Sequence, residues 1–171
     1  MTEGERSQAV GRVMQISVRS AGEADWESVW AVCASCFPKD RLTRSEVKRF
    51  CIRSESDESK VFVVSDKTKS GERFLAVIVG SRWPRDKVIR ISHLGTVPGY
   101  NGLEFATKLV KALGKWAVGI GYVKLHMNIQ ARDEALLQIA HKAGFLRTKK
   151  FTYDENEIPV DLWIKNLGVA A

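Results

Sequence analysis

Residues 97–120 read VPGYNGLEFATKLVKALGKWAVGI, a cluster of turn residues running into the strongest amphipathic pattern of the chain. Leu103, Ala106, Val110, Leu113, Ala117 and Ile120 recur at helical steps, while Glu104, Lys108, Lys111 and Lys115 recur the same way on another face. The spacing predicts a helix with one side against a sheet. Pro98, Gly99, Asn101 and Gly102 precede it, so backbone N–H groups are expected to project from a helix N-terminus. The helix dipole favours an anion there, and a phosphate fits the description.

Working outward, the 171 residues allow one domain with a core, and 44% hydrophobic with 27% charged is an ordinary globular balance. Residues 1–13 are polar and read as a flexible tail, which leaves 14–171 as a single domain. No run approaches the roughly 20 apolar residues of a membrane span, and the charged start lacks a signal peptide's apolar core, so a cytoplasmic setting is expected. Three cysteines do not describe a disulfide framework. Cys33 and Cys36 have CxxC spacing without a second ligand pair, and packing explains them without a metal. A net charge of +7 suits an anionic partner and equally suits lysines on solvated faces.

Residues 14–19 alternate as a strand, and Trp26, Val29, Trp30 and Cys33 mark a helix over 23–37. Thr43-Arg-Ser-Glu46 is a capping-box pattern opening a second helix to about Arg53, and SESDES reads as a loop. Residues 61–65 and 73–80 form a predicted hairpin around Gly71, and FLAVIVG, apolar on both faces, belongs centrally in the sheet. Residues 87–97 supply a strand into the opening junction. Beyond the long helix come a strand over 122–129, a helix capped by Asp133 and closed by Gly144, and strands over 146–153 and 160–164 around an acidic turn. Trp26, Trp30 and Trp116 read as core by spacing, and Trp83, in a polar turn, as more exposed. The order β-α-α-β-β-β-α-β-α-β-β predicts an α/β fold, a mixed and mostly antiparallel sheet flanked by helices.

That order, with VPGYNGLEFATKL and DEALLQIAHKAGF, resembles the GCN5-related N-acetyltransferase (GNAT) superfamily from about residue 14 to residue 167. CFPKDRLTRSEV is similar to the substrate-side connection of its ribosomal-protein and protein N-terminal acetyltransferases. The resemblance implies a GNAT-like fold and acetyl-CoA as acyl donor. It implies that the fourth strand splays from the fifth, with the pantetheine along Leu94, Gly95 and Thr96. The pyrophosphate falls to the turn of Asn101, Gly102, Leu103, Glu104, Phe105, Ala106 and Thr107. The family's turn has Arg or Gln, then two small residues; this chain has Asn101, Glu104 and a fitting Ala106. Lys108, one turn on, is placed to pair with Glu104. The family's base, helix-opening asparagine and tyrosine acid correspond to Asn128, Asp133 and Ala140. Neither Asn128 nor Ala140 can take those roles. Asp133 is read both as an N-cap and as a cofactor contact.

A replacement base must titrate in the useful range, which points to His93 on the fourth strand near the split. His126 and His141 are weaker candidates, His141 being turned about 100° from Ala140 on its helix. Tyr153, on the late strand that borders the acceptor groove, is the favoured acid, with Tyr100 and Tyr122 as alternatives. The first reading is therefore a CoA-dependent N-acyltransferase acting on an amine-bearing acceptor, protein or small molecule, by direct attack in a ternary complex. Cys33 and Cys36 are placed on a helix on the wrong side for a covalent relay. A catalytically degenerate binding or regulatory module is the second reading. A nucleic-acid-modifying member of the superfamily, supported by charge alone, is the third.

Overall fold

The computed structural model describes residues 14–38, 41–154 and 157–168. The tail read over 1–13, part of the acidic turn (155–156), residues 39–40 and residues 169–171 lie outside the described residues.

The strands are β1 (Ile16–Ser20), β2 (Ser59–Thr68), β3 (Gly71–Trp83), β4 (Val88–Thr96), β5 (Lys124–Gln130), β6 (Leu146–Tyr153) and β7 (Pro159–Asn166). The helices are α1 (Trp26–Cys36), α2 (Arg44–Glu55), α3 (Gly102–Gly119) and α4 (Glu134–Lys142). The seven strands make one sheet in the order β1-β2-β3-β4-β5-β7-β6. Every neighbouring pair is antiparallel except β4 with β5. The expected element order and mostly antiparallel sheet are both present.

Alternation along β3 distributes the core to two faces. Val77 and Val79 meet Val29, Val32 and Val47 of α1 and α2, whereas Ile78 meets Leu109 and Leu113 of α3. The FLAVIVG run is buried on both sides because both sides carry helices. The buried face of α3 is wider than its sequence stripe, taking in Phe105 and Leu109 while Leu103 and Ile120 are only half-buried. Among the described residues no helix is long and apolar enough to cross a membrane.

Several boundaries differ from the sequence reading. The first helix begins with a short 3-10 turn, Glu23–Asp25, and its α-helical part starts at Trp26. The hairpin strands extend to Thr68 and from Gly71, because backbone pairing continues past the apolar stretch into polar residues. SESDES is only partly loop, since α2 runs through Glu55 and β2 starts at Ser59, with Asp57 left-handed at φ 58° between them. The Thr43 capping box is formed: Glu46 N–H donates to Thr43 Oγ1 at 3.3 Å and Thr43 N–H to Glu46 Oε2 at 2.7 Å. Trp26, Trp30 and Trp116 are half-buried at the margins of the core, and Trp116 Nε1 donates to Asp57 Oδ1 at 3.0 Å. An indole with a polar edge settles where that edge finds a partner.

The feature that shapes the site is a bulge. Val79 pairs with His93 but Gly80 pairs with Ile91, so Ser92 is an extra residue in β4. Opposite it, a Cβ on Gly80 would stand 2.8 Å from both Ile89 Cγ2 and Leu113 Cδ1. Those side chains are fully buried and have nowhere to retreat. Gly80→Ala is expected to destabilise the fold by about 1–3 kcal/mol, the usual cost of overpacking a core. A urea melt lacking any fall in midpoint would remove Gly80 from this account.

Candidate active site

Past the bulge the two central strands part. β4 pairs with β5 only from Val88–Lys124 to Arg90–His126. From Ile91 to Thr96, β4 still pairs with β3 on one side but has no rung to β5 on the other. This opens a cleft of about 1510 Å³ between β4, β5 and the starts of α3 and α4. Unpaired backbone donors and acceptors lie along its wall, which is where an extended ligand finds partners.

His93, Leu94, Gly95 and Thr96 all line the cleft. The His93 ring meets Phe37 edge-on at 5.5 Å and Phe50 at 5.7 Å between centroids. Its Nδ1 lies 3.0 Å from Ser92 Oγ, which donates to the Val79 carbonyl at 3.4 Å. In the tautomer in which Nδ1–H donates to Oγ, Nε2 keeps its lone pair. Burial holds the imidazole below its ordinary value, opposed by Glu46 and assisted by Arg41. It is therefore neutral at pH 7, as a base must be.

Cys36 corrects one expectation. Its helix is not on the wrong side: Cys36 lines the cleft beside β4, where a Cβ on Gly95 would come within 2.6 Å of its sulfur. Residue 95 therefore has to be glycine for α1 to seat. Cys36 Sγ donates to the Val32 carbonyl at 3.0 Å, and burial pushes its thiol up to about 11. Such a thiol is protonated at neutral pH and a poor nucleophile. Cys33 and Cys51 are buried, with thiols pushed up to about 12 by desolvation. Among the described residues no group of three or more His, Cys, Asp and Glu side chains could hold a metal ion.

At the start of α3, Asn101 is the N-cap: its Oδ1 accepts from Glu104 N–H at 3.1 Å and its carbonyl from Phe105 N–H at 3.1 Å. The amides of Gly102 and Leu103 begin the helix and have no intrahelical acceptor. Gly102, Leu103 and Ala106 line the cleft, whereas Asn101, Glu104, Phe105 and Thr107 do not. Glu104 is exposed and turned to Lys108, 3.3 Å away. Phe105 is 4% exposed and belongs to the core, and the Thr107 hydroxyl bonds back to Leu103 and Glu104 carbonyls. The anion-binding capacity of this turn thus rests on backbone and on small residues.

Across the cleft stand Asn128, Gln130, Asp133 and Tyr153. Asp133 Oδ1 accepts from Leu136 N–H at 3.1 Å, so its carboxylate is engaged as the α4 cap. Ala140 is wholly buried in the core. Gln130 Nε2 donates to Asp154 Oδ2 at 2.8 Å, fastening the β6–β7 hairpin to the end of β5. Tyr153 is 62% exposed at that margin. Of the other candidates, Tyr122 accepts from Arg82 Nε away from the cleft, Tyr100 stacks on Phe105, and His141 packs on Trp163. His126 does line the cleft, its Nε2 is buried without a partner, and burial lowers its pKa.

Sequence reasoning overlooked Arg41, Arg90 and Ser92, which also line the cleft. The available signal was Ser92-His93, two polar residues in succession where β4 otherwise alternates.

Residues 26–145, well over half of the chain, match the family model described as Acetyltransferase (GNAT) family. No curated protein matches the sequence. The fold is similar to the ribosomal-protein-S18-alanine N-acetyltransferase from Escherichia coli, with TM-score 0.70 and 12% identity over 92% of this chain and 97% of that one. It is also similar to Ard1 from Thermoplasma volcanium, with TM-score 0.71 and 14% identity over 91% and 99% of the two chains. A third is yncA from Salmonella typhimurium, solved with its cofactor acetyl-CoA, with TM-score 0.71 and 16% identity over 92% and 96%.

The two readings of Asp133 are separable. A cap needs only an acceptor oxygen, so Asp133→Asn should melt like the parent while Asp133→Ala loses about 1 kcal/mol. Equal losses in both variants, measured in urea, would show that the charge matters beyond the cap.

Proposed function

Because the chain belongs to the Acetyltransferase (GNAT) family, we propose that it is a CoA-dependent N-acyltransferase carrying acetyl from acetyl-CoA to a primary amine on a protein or small molecule, in a cytoplasmic setting. The observation that carries this reading is the cleft, where β4 loses β5 after Arg90 and runs unpaired toward the opening amides of α3. The residues present fit the donor. Leu94, Gly95 and Thr96 offer an unpaired backbone edge, Gly102 and Leu103 offer helix-opening amides, and Ala106 keeps that wall small. Lys108 offsets the carboxylate of Glu104. When bound, acetyl-CoA supplies the acetyl group as an activated thioester.

The chain's own residues do the rest. The amine reaches the cleft as an ammonium and must lose a proton, which His93 Nε2 takes directly or through water. The amine nitrogen then forms its bond to the acetyl carbon as the carbon–sulfur bond breaks, and an unpaired β4 amide stabilises the carbonyl oxygen meanwhile. Tyr153, the one tyrosine lining the cleft, gives a proton to the departing sulfur. Transfer is direct, since the Cys36 thiol is held protonated. Asn128 and Ala140 favour a second reading, a CoA-binding module without turnover. It predicts binding with no acetylation of any amine.

CoA should raise the melting temperature by mass action, by the equivalent of about 2.7 kcal/mol at a hundred times its dissociation constant. The absence of any shift at millimolar CoA would refute the donor site. His93→Ala is expected to lower kcat by about a hundredfold or more while leaving the CoA-induced shift intact. The active form is the neutral imidazole, whose pKa burial has lowered, so activity rises with pH and its acidic limb lies below 6.5. That limb should vanish in His93→Ala; its persistence would assign the proton to another group.

A further inference from the structure

Continuous with the main cleft, and sharing all of its lining but Ser81 with it, lies a smaller recess of about 350 Å³ bounded by Ser81, Trp83, Arg90, Ile91, Ser92 and Asn128. It lies at the last β4–β5 rung, Arg90–His126, directly before His93 in β4. Its polar groups share one character. Arg90, Asn128 and Ser81 carry donors, the Ser92 hydroxyl being turned to the Val79 carbonyl, and no carboxylate is among the six residues that bound the recess.

Arg90 is exposed; its backbone pairs with Ser81 and His126, and among the described residues its side chain makes no hydrogen bond or ion pair. Asp86, which lines the larger cleft, is exposed too and forms no ion pair with it. The one contact that orients Arg90 is Trp83, whose ring centroid lies 6.0 Å from the guanidinium carbon. Trp83 is itself 50% exposed. An indole face left open to solvent and an arginine laid on it, without an acid, form half of a recognition pair. The missing half is a planar anion, which a guanidinium grips bidentately.

Resting on the acyltransferase reading above, we propose that this recess takes a carboxylate on the acceptor, so that the substrate is an amine bearing a carboxylate a few bonds away. Arg90 pairs with that carboxylate, Asn128 and Ser81 add neutral donors, and the amine is left pointing along β4 toward His93. Asn128 is consistent with this assignment. A carboxylate there would draw an ammonium but repel the acceptor's anion, whereas an amide donates to it. Two sources share the chemistry, the α-carboxylate of a free amino acid and the side-chain carboxylate of an acidic peptide N-terminus.

The test has two arms. Thiol release from acetyl-CoA is followed with glutamate, leucine, leucinamide, an Asp-starting peptide and an Ala-starting peptide, in the parent, Arg90→Gln and Arg90→Lys. Preference for the amino acids over leucinamide, with KM for them rising roughly ten- to a hundredfold in Arg90→Gln and kcat little changed, supports the proposal. Arg90→Lys should recover part of that loss, and leucinamide should be indifferent to the variant. Preference for the Asp-starting peptide alone identifies the side-chain source. Leucinamide used as well as leucine overturns the proposal while leaving the acyltransferase intact. The second arm needs no turnover: binding of N-acetylglutamate and N-acetylleucine is followed by NMR with CoA present. Binding that falls in Arg90→Gln supports the site even in a chain that acetylates nothing. Binding equal in parent and variant, or absent from the parent at 10 mM (roughly the level of a weak carboxylate contact), overturns it.

Discussion

The extra residue at Ser92 is the constraint on which the rest depends. A parallel pair such as β4 and β5 can separate only if something turns one strand aside, and a bulge adds local twist to the strand that carries it. Because β3 tolerates the bulge through Gly80, the deflection falls on the β4–β5 side, and pairing there ends after Arg90 and His126. The same event does two jobs. It frees a row of backbone groups along the cleft wall, and it shifts the alternation of β4 by one residue ahead of His93, whose ring packs against Phe37 and Phe50.

Most of the fold was legible because each helix and strand carries one period cleanly. The α3 stripe, the capping box at Thr43 and the unbroken apolar run in β3 are local patterns with tertiary meaning, and they predicted layers and order correctly. What was not legible depends on register. Nothing in one strand says that its partner lacks a residue opposite Ser92, so Arg90 drew no notice in the sequence. Cys36 was misjudged for a related reason. Helix periodicity assigns a residue to a face, but the last turn of α1 overhangs β4, and only a glycine at 95 permits that approach.

The turn opening α3 shows how a side chain of adverse sign can be drawn along the helix surface, away from the opening amides. Glu104 occupies a position where bulk and negative charge both oppose a phosphate, yet its backbone N–H is already taken by Asn101 and its carboxylate leans on Lys108. An exposed i,i+4 pair contributes only about 0.3–0.5 kcal/mol, enough to bias a rotamer and too little to matter for folding. The capacity to meet an anion therefore lies with Gly102, Leu103 and the helix dipole, none of which a motif based on side chains detects.

The distribution of charge explains why a net charge of +7 is uninformative about nucleic acid yet informative at one residue. Several cations are spoken for: Arg19 by Asp25 and Glu72, Lys60 by Asp57, Lys108 by Glu104, Arg147 by Asp161. In the cleft two carboxylates are engaged by backbone or amide groups, Asp133 as a helix cap and Asp154 by Gln130 and the Ile158 amide, while Asp86 is exposed. Arg90 has only an aromatic ring to lean on. The place where a cation is laid on an indole, rather than the sum of cations, is what speaks to the acceptor.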